Sequence, residues 1–94
     1  QQTTDTYWLD KVEIFLTECI KLCRLYNKGY VTFSEIHKLI MFPEYYSEKL
    51  TILKKLFTDR KFSEREVYDL LSCIELYILD ADFSFTKSNF KKSS

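Results

Sequence analysis

Between Tyr7 and Tyr26 apolar residues recur at Trp8, Val12, Phe15, Leu16, Cys19, Leu22, Cys23 and Tyr26, the spacing of one helical stripe. Leu9, Ile14, Ile20 and Leu25 fall outside it, so apolar surface covers most of the circumference. Such a helix is expected to be surrounded by partners and to anchor the core. Side chains of this size contribute roughly 1.5–3 kcal/mol each when buried. Asp5 or Thr6 is placed to cap the start, and Asp10 and Glu13 lie early in the helix. Lys21 and Arg24 fall in its last turns, as the helix dipole favours. Gly29, the only glycine, follows as a terminator.

Two later stretches repeat one local device. In Val31-Thr32-Phe33-Ser34-Glu35-Ile36, Thr32 and Glu35 have the spacing of a capping box, with Val31 and Ile36 as its hydrophobic staple. Phe62-Ser63-Glu64-Arg65-Glu66-Val67 repeats it, with Ser63 and Glu66 as the box and Phe62 and Val67 as the staple. The first starts a short helix, roughly Phe33–Met41, that stops before Pro43. A connection over Phe42–Tyr46 then leads to Ser47, the expected cap of a third helix ending near Phe57, with Leu50, Leu53, Leu56 and Phe57 on its face. Thr58–Lys61 reads as a charged turn. The second box opens a fourth helix, about Glu64–Leu79, whose expected core face is Val67, Leu70, Leu71, Ile74, Tyr77 and Ile78. Beyond Asp80 the period changes: Phe83 and Phe85 alternate with Ser84 and Thr86, as in an extended segment. The pattern predicts an all-α bundle of about four helices around a central N-terminal helix over residues 1–82. Residues 83–94 are expected to form an extended tail leading toward a neighbouring module.

One glycine and one proline in 94 residues agree with helices and short connections. An apolar fraction of 46% with 17% aromatics places the chain among folded domains. Fourteen basic and fourteen acidic residues cancel, so no global charge draws it to nucleic acid or to an anionic membrane. No apolar run is long enough to span a membrane. The three cysteines read as reduced, buried thiols of a cytosolic protein, two of them on the apolar helix. Opening on Gln1 and closing on Lys-Lys-Ser-Ser, the chain reads as a segment of something longer.

Candidate chemistry is sparse. No glycine-rich loop cradles a phosphate, and a single histidine supports no nucleophile–base pair, so no enzyme active site and no cofactor are expected in this segment. Cys19, Cys23, Cys73 and His37 make a zinc tetrad on paper, but the cysteines lie inside apolar stripes, where core packing is the expectation and no metal is assigned. Asn27–Glu35 mimics the second half of a calcium-binding EF-hand loop, with Gly29 at the sharp turn and Glu35 as the twelfth ligand. Arg24, Tyr26 and Lys28 at the earlier ligand positions cannot hold a cation. A degenerate, structural EF-hand-like module is one alternative reading. Another is a helix-turn-helix DNA-binding regulator built on the second and third helices, with Lys49, Lys54 and Lys55 toward phosphates.

Locally the charges separate. Lys54, Lys55, Arg60, Lys61 and Arg65 crowd the region between the third and fourth helices, whereas Glu66, Asp69, Glu75, Asp80 and Asp82 follow with no basic residue until Lys87. Aromatics and arginines are enriched at binding hot spots. On that ground Tyr45, Tyr46, Lys54, Lys55, Arg60, Lys61 and Arg65 form one candidate contact surface, and Asp69, Glu75 and Asp80 form the competing one.

Asp5-Thr6-Tyr7-Trp8 before a long apolar helix resembles the Asp-Pro-Phe-Trp opening of the all-alpha domain of type IV coupling proteins. These are the hexameric, membrane-anchored ATPases of conjugation and type IV secretion. The similarity continues through Val31–Ile40 and resumes at Ser63-Glu64-Arg65-Glu66, running on into Leu79-Asp80-Ala81-Asp82. The resemblance implies a substrate-recognition domain at the cytoplasmic mouth of a hexamer, docking secreted proteins with their adaptors or a relaxase–DNA complex. It places no direct membrane contact in this domain and puts ATP hydrolysis in the parent's other domain.

Overall fold

The computed structural model describes the backbone of residues 2–79 and the side chains of residues 9–78. The expected tail over 83–94, Asp80 and the side chain of Trp8 therefore lie outside the described residues. Four helices follow in order: α1 (Gln2–Tyr26), α2 (Phe33–Met41), α3 (Pro43–Asp59) and α4 (Glu64–Leu79). α1 packs on each of the other three, most extensively on α4. The bundle is all-α and centred on its N-terminal helix, as the hydrophobic pattern predicts.

The core is built from all four helices. Phe15, Cys19, Leu22, Cys23 and Leu25 of α1 meet Ile36, Leu39 and Ile40 of α2, and Tyr46, Leu50 and Leu53 of α3. Phe62, Leu70 and Cys73 complete it from the α4 side. The encirclement of α1 is nevertheless incomplete. Leu9 and Ile14 are exposed, because partners of 9, 17 and 16 residues do not enclose a helix of 25. Nor does α1 begin at a cap on Asp5 or Thr6, since both lie within the helix. Thr3 to Thr6 contain no glycine or proline, and extending an existing helix costs far less than starting one.

The other boundaries show where local chemistry rules. α1 ends in a Schellman-type turn: the Gly29 N–H donates to the Arg24 carbonyl at 2.9 Å. The left-handed position just past the cap is taken by Lys28 (φ 55°), and Gly29 (φ 89°) comes one residue later. α2 spans the predicted residues, with the Glu35 N–H donating to Thr32 Oγ1 at 3.2 Å. α3 corrects the expected loop over Phe42–Tyr46 and the cap at Ser47. Phe42 alone joins α2 to α3, in extended conformation, and Pro43 is the first residue of the new helix. Proline fits there because the first helical N–H has no intrahelical partner to lose. α3 also runs on through Thr58 and Asp59, which leaves only residues 60–63 as the turn before α4.

On α4 the packed side is centred on Leu70 and Cys73, with Val67, Ile74 and Leu76 against it. Leu71 and Ile78, expected in the core, are exposed. Leu56 and Phe57 at the end of α3 are exposed as well, although the Phe57 ring stands edge-on to buried Phe62 at 5.5 Å between centroids.

Candidate functional site

The first candidate surface loses its two tyrosines. Tyr46 is wholly buried, stacked on Tyr77 with centroids 5.8 Å apart, and its hydroxyl donates to the Cys73 carbonyl at 3.2 Å. Burial pushes that phenol well above the ordinary tyrosine value. Tyr46 belongs to the core because α3 starts at Pro43, five residues before the start expected after a Ser47 cap, which puts Tyr46 inside the helix on one stripe with buried Leu50 and Leu53.

Tyr45 is committed to a polar joint between three helices. Its hydroxyl donates to Glu35 Oε1 at 2.6 Å, and the Tyr26 hydroxyl donates to the same oxygen at 2.8 Å. Lys38 Nζ lies 3.4 Å from the other carboxylate oxygen. The Lys49 ammonium sits 4.8 and 4.7 Å from the ring centres of Tyr26 and Tyr45, within cation–π range of both. The hydrogen bond from Tyr45, then that from Tyr26, holds the Glu35 carboxyl below the usual carboxylate range. The bond to Glu35 pushes Tyr45 up to about 12, and burial followed by the same carboxylate raises Tyr26 further. The residue that sequence places as a calcium loop's twelfth ligand is thus engaged by two phenols and an ammonium.

Lys54, Lys55, Arg60, Lys61 and Arg65 are all exposed. Arg60 reaches Glu66 at 3.6 Å and lies 4.6 Å over the Phe62 ring, so its charge is partly matched. The corner between α2 and α3 is a single residue, shorter than the three or four of a helix-turn-helix. The three thiols are reduced and buried. Cys73 Sγ donates to the Glu18 carbonyl at 3.4 Å and Cys23 Sγ to the Tyr30 carbonyl at 3.5 Å. Burial, with the nearby Glu18 charge, raises the Cys73 thiol, and His37 is exposed on α2. Among the described residues no group of three or more His, Cys, Asp or Glu side chains is placed to hold a metal.

Of the competing set, Asp69 and Glu75 lie together on α4, and Asp80 lies outside the described residues. Along the outer face of α4, Tyr68, Leu71 and Ile78 are 73%, 59% and 60% exposed. Together with Ile74 they line an open groove of about 1080 Å³. Glu64, Asp69 and Glu75 border it with Arg65, and Lys21 of α1 closes one side. The Lys21 ammonium bonds Glu18 at 3.1 Å, and the Ser72 hydroxyl donates to the other Glu18 oxygen at 2.7 Å. Two of the three acidic residues proposed for this surface, Asp69 and Glu75, are therefore in the groove, and Arg65 joins them from the basic set. Sequence reasoning missed Tyr68. The signal for it was present: Tyr68, Leu71 and Ile78 make a second apolar stripe on a helix whose first stripe already serves the core.

Comparison with family models, curated proteins and solved structures finds no match to this chain. Any functional reading rests on its own residues.

Proposed function

We propose that this domain is a protein-docking module, and that the outer face of α4 is its reader. The observation that carries the reading is the exposed stripe Tyr68–Leu71–Ile78. Leaving three large apolar side chains in water forfeits roughly 1.5–3 kcal/mol each, a cost that a partner covering them would recover. Its border holds Glu64, Asp69 and Glu75 against Arg65 and a Lys21 already engaged by Glu18. The complementary partner is an amphipathic segment with basic flanks, docked as a helix in a groove. In keeping with the resemblance to coupling-ATPase all-alpha domains, that partner is a cargo or adaptor protein presented on the cytoplasmic side of a larger translocating assembly. No helix of the described residues is long and apolar enough to cross a membrane.

The test is a nuclear magnetic resonance titration of the full chain with a synthetic amphipathic Leu/Lys helical peptide. Shift changes should concentrate at Tyr68, Leu71, Glu75 and Ile78. They should be lost in Leu71→Asp/Ile78→Asp and persist when Arg60 and Lys61 are reversed to Glu. Changes centred instead on Lys54, Lys55 and Lys61 would transfer the reader to the basic turn.

A further inference from the structure

The turn between α1 and α2 carries a second set of apolar side chains that the docking groove does not use. Phe33, the first residue of α2, is 93% exposed, and Tyr30 and Val31 beside it are exposed as well. These side chains are held outward by a built loop. The Tyr30 N–H donates to the Asn27 carbonyl at 3.0 Å, and the Tyr30 carbonyl accepts from Asn27 Nδ2 at 3.2 Å and from the buried Cys23 thiol. The left-handed pair Lys28–Gly29 turns the chain away from α1, and the Thr32 cap fixes where α2 begins.

Between Arg24 and Ser34 the chain carries two basic residues, Arg24 and Lys28, and no acidic one, although the charges of the whole chain cancel. Arg24 and Lys28 are exposed on the α1 side. Behind them Glu35 is paired with Lys38 and takes the two tyrosine hydroxyls, and the Lys49 ammonium sits over the rings of Tyr26 and Tyr45. The acidic Glu44 and Glu48 line a shallow recess with Lys38, Phe42 and Tyr45.

We propose that this corner is a membrane-surface contact, in which Phe33, Tyr30 and Val31 enter the headgroup boundary of an anionic bilayer while Arg24 and Lys28 meet its lipid phosphates and carboxylates. Interfacial binding of this kind draws on apolar insertion and on attraction between basic residues and anionic lipid. The two exposed cations of this turn have no acidic residue between Arg24 and Ser34 to answer them, which fits an anionic lipid surface.

The experiment is co-sedimentation of the full chain with vesicles of phosphatidylcholine, with and without about one third phosphatidylserine. Binding to the anionic vesicles should exceed binding to the neutral ones by at least about ten-fold, and should fall steeply with added salt. Phe33→Ser should weaken it by about ten-fold or more. Arg24→Gln and Lys28→Gln should cost about five-fold each at low salt. The control Lys54→Gln/Lys55→Gln/Lys61→Gln should change little. Because the substituted side chains are exposed, circular dichroism should be unchanged throughout. The proposal is overturned if the folded chain does not sediment with anionic vesicles at low salt. Equal binding by the Phe33→Ser variant, or a solution dimer that Phe33→Ser dissociates, overturns it as well; the latter would make the corner a self-contact. Failure here leaves the α4 reading intact, since the two surfaces share no residue.

Discussion

The two helix starts at Thr32 and Ser63 carry the same sequence device and meet different fates. At α4 the box closes in both directions: the Glu66 N–H donates to Ser63 Oγ at 3.2 Å, and the Ser63 N–H donates to Glu66 Oε1 at 2.8 Å. At α2 only the first half forms, between Thr32 and the Glu35 N–H. The Glu35 carboxylate turns instead to Tyr26 of α1 and Tyr45 of α3. A glutamate three residues past the cap makes one local hydrogen bond and an exposed ion pair with Arg60 at α4, and a three-helix joint at α2. The lesson concerns competition. A carboxylate settles on the stronger donors within reach, and two phenols brought in by tertiary packing outcompete one backbone N–H at the protein surface.

Three experiments sharpen that contrast. The largest effect is expected from Glu35→Ala, which strips the acceptor from two tyrosine hydroxyls and the counter-charge from Lys38. It should cost about 2–3 kcal/mol in urea unfolding, against about 1 kcal/mol for Glu66→Ala. Equal costs would mean that the tyrosine joint contributes nothing beyond a cap. Next come the caps themselves: Thr32→Ala and Ser63→Ala should each cost about 1 kcal/mol, because the oxygen-to-N–H bond is present at both. A several-fold difference between them would show that the hydroxyl half is not equivalent in the two helices.

The smallest effect is expected in the pH profile, and its sign is fixed by the direction of each shift. Glu35 is depressed in the folded state, so its contribution is complete above the unfolded carboxylate value of about 4.3. It is lost as pH falls through the lower folded value. Tyr45 is raised, so its contribution is complete below the ordinary value of about 10 and is lost as pH climbs toward its folded value of about 12. Glu35→Gln should flatten the acid limb, and Tyr45→Phe should blunt the alkaline one, in stability measured by urea unfolding across pH. Limbs unchanged by either substitution would remove the joint as their cause.

Much of the fold was legible because its signals are local. The α2 range and the start and end of α4 follow from apolar spacing and from caps that need only four consecutive residues. The α3 start was missed because Pro43 reads equally well as the end of one helix and the first residue of the next. That slip carried Tyr46 onto a binding surface when it is the most voluminous fully buried side chain in the core. The docking face was half visible. Asp69 and Glu75 stood out as charges, but Leu71 and Ile78 were assigned inward because a stripe pattern does not say which of two stripes the partner helices will cover.

Taken alone, the sequence determined an all-α chain, its dominant first helix, the caps at Thr32 and Ser63 and the absence of a glycine-rich phosphate loop. These depend on side-chain period and on hydrogen bonds within a few residues of chain. Only the tertiary structure decided that Glu35 leaves its own helix start for two tyrosines, that the face of Leu71 and Ile78 stays in water, and that Phe33 is left almost wholly exposed. Those outcomes depend on how far short helices reach around a long one and on which donors arrive within hydrogen-bond distance, and both are settled by packing between segments distant along the chain.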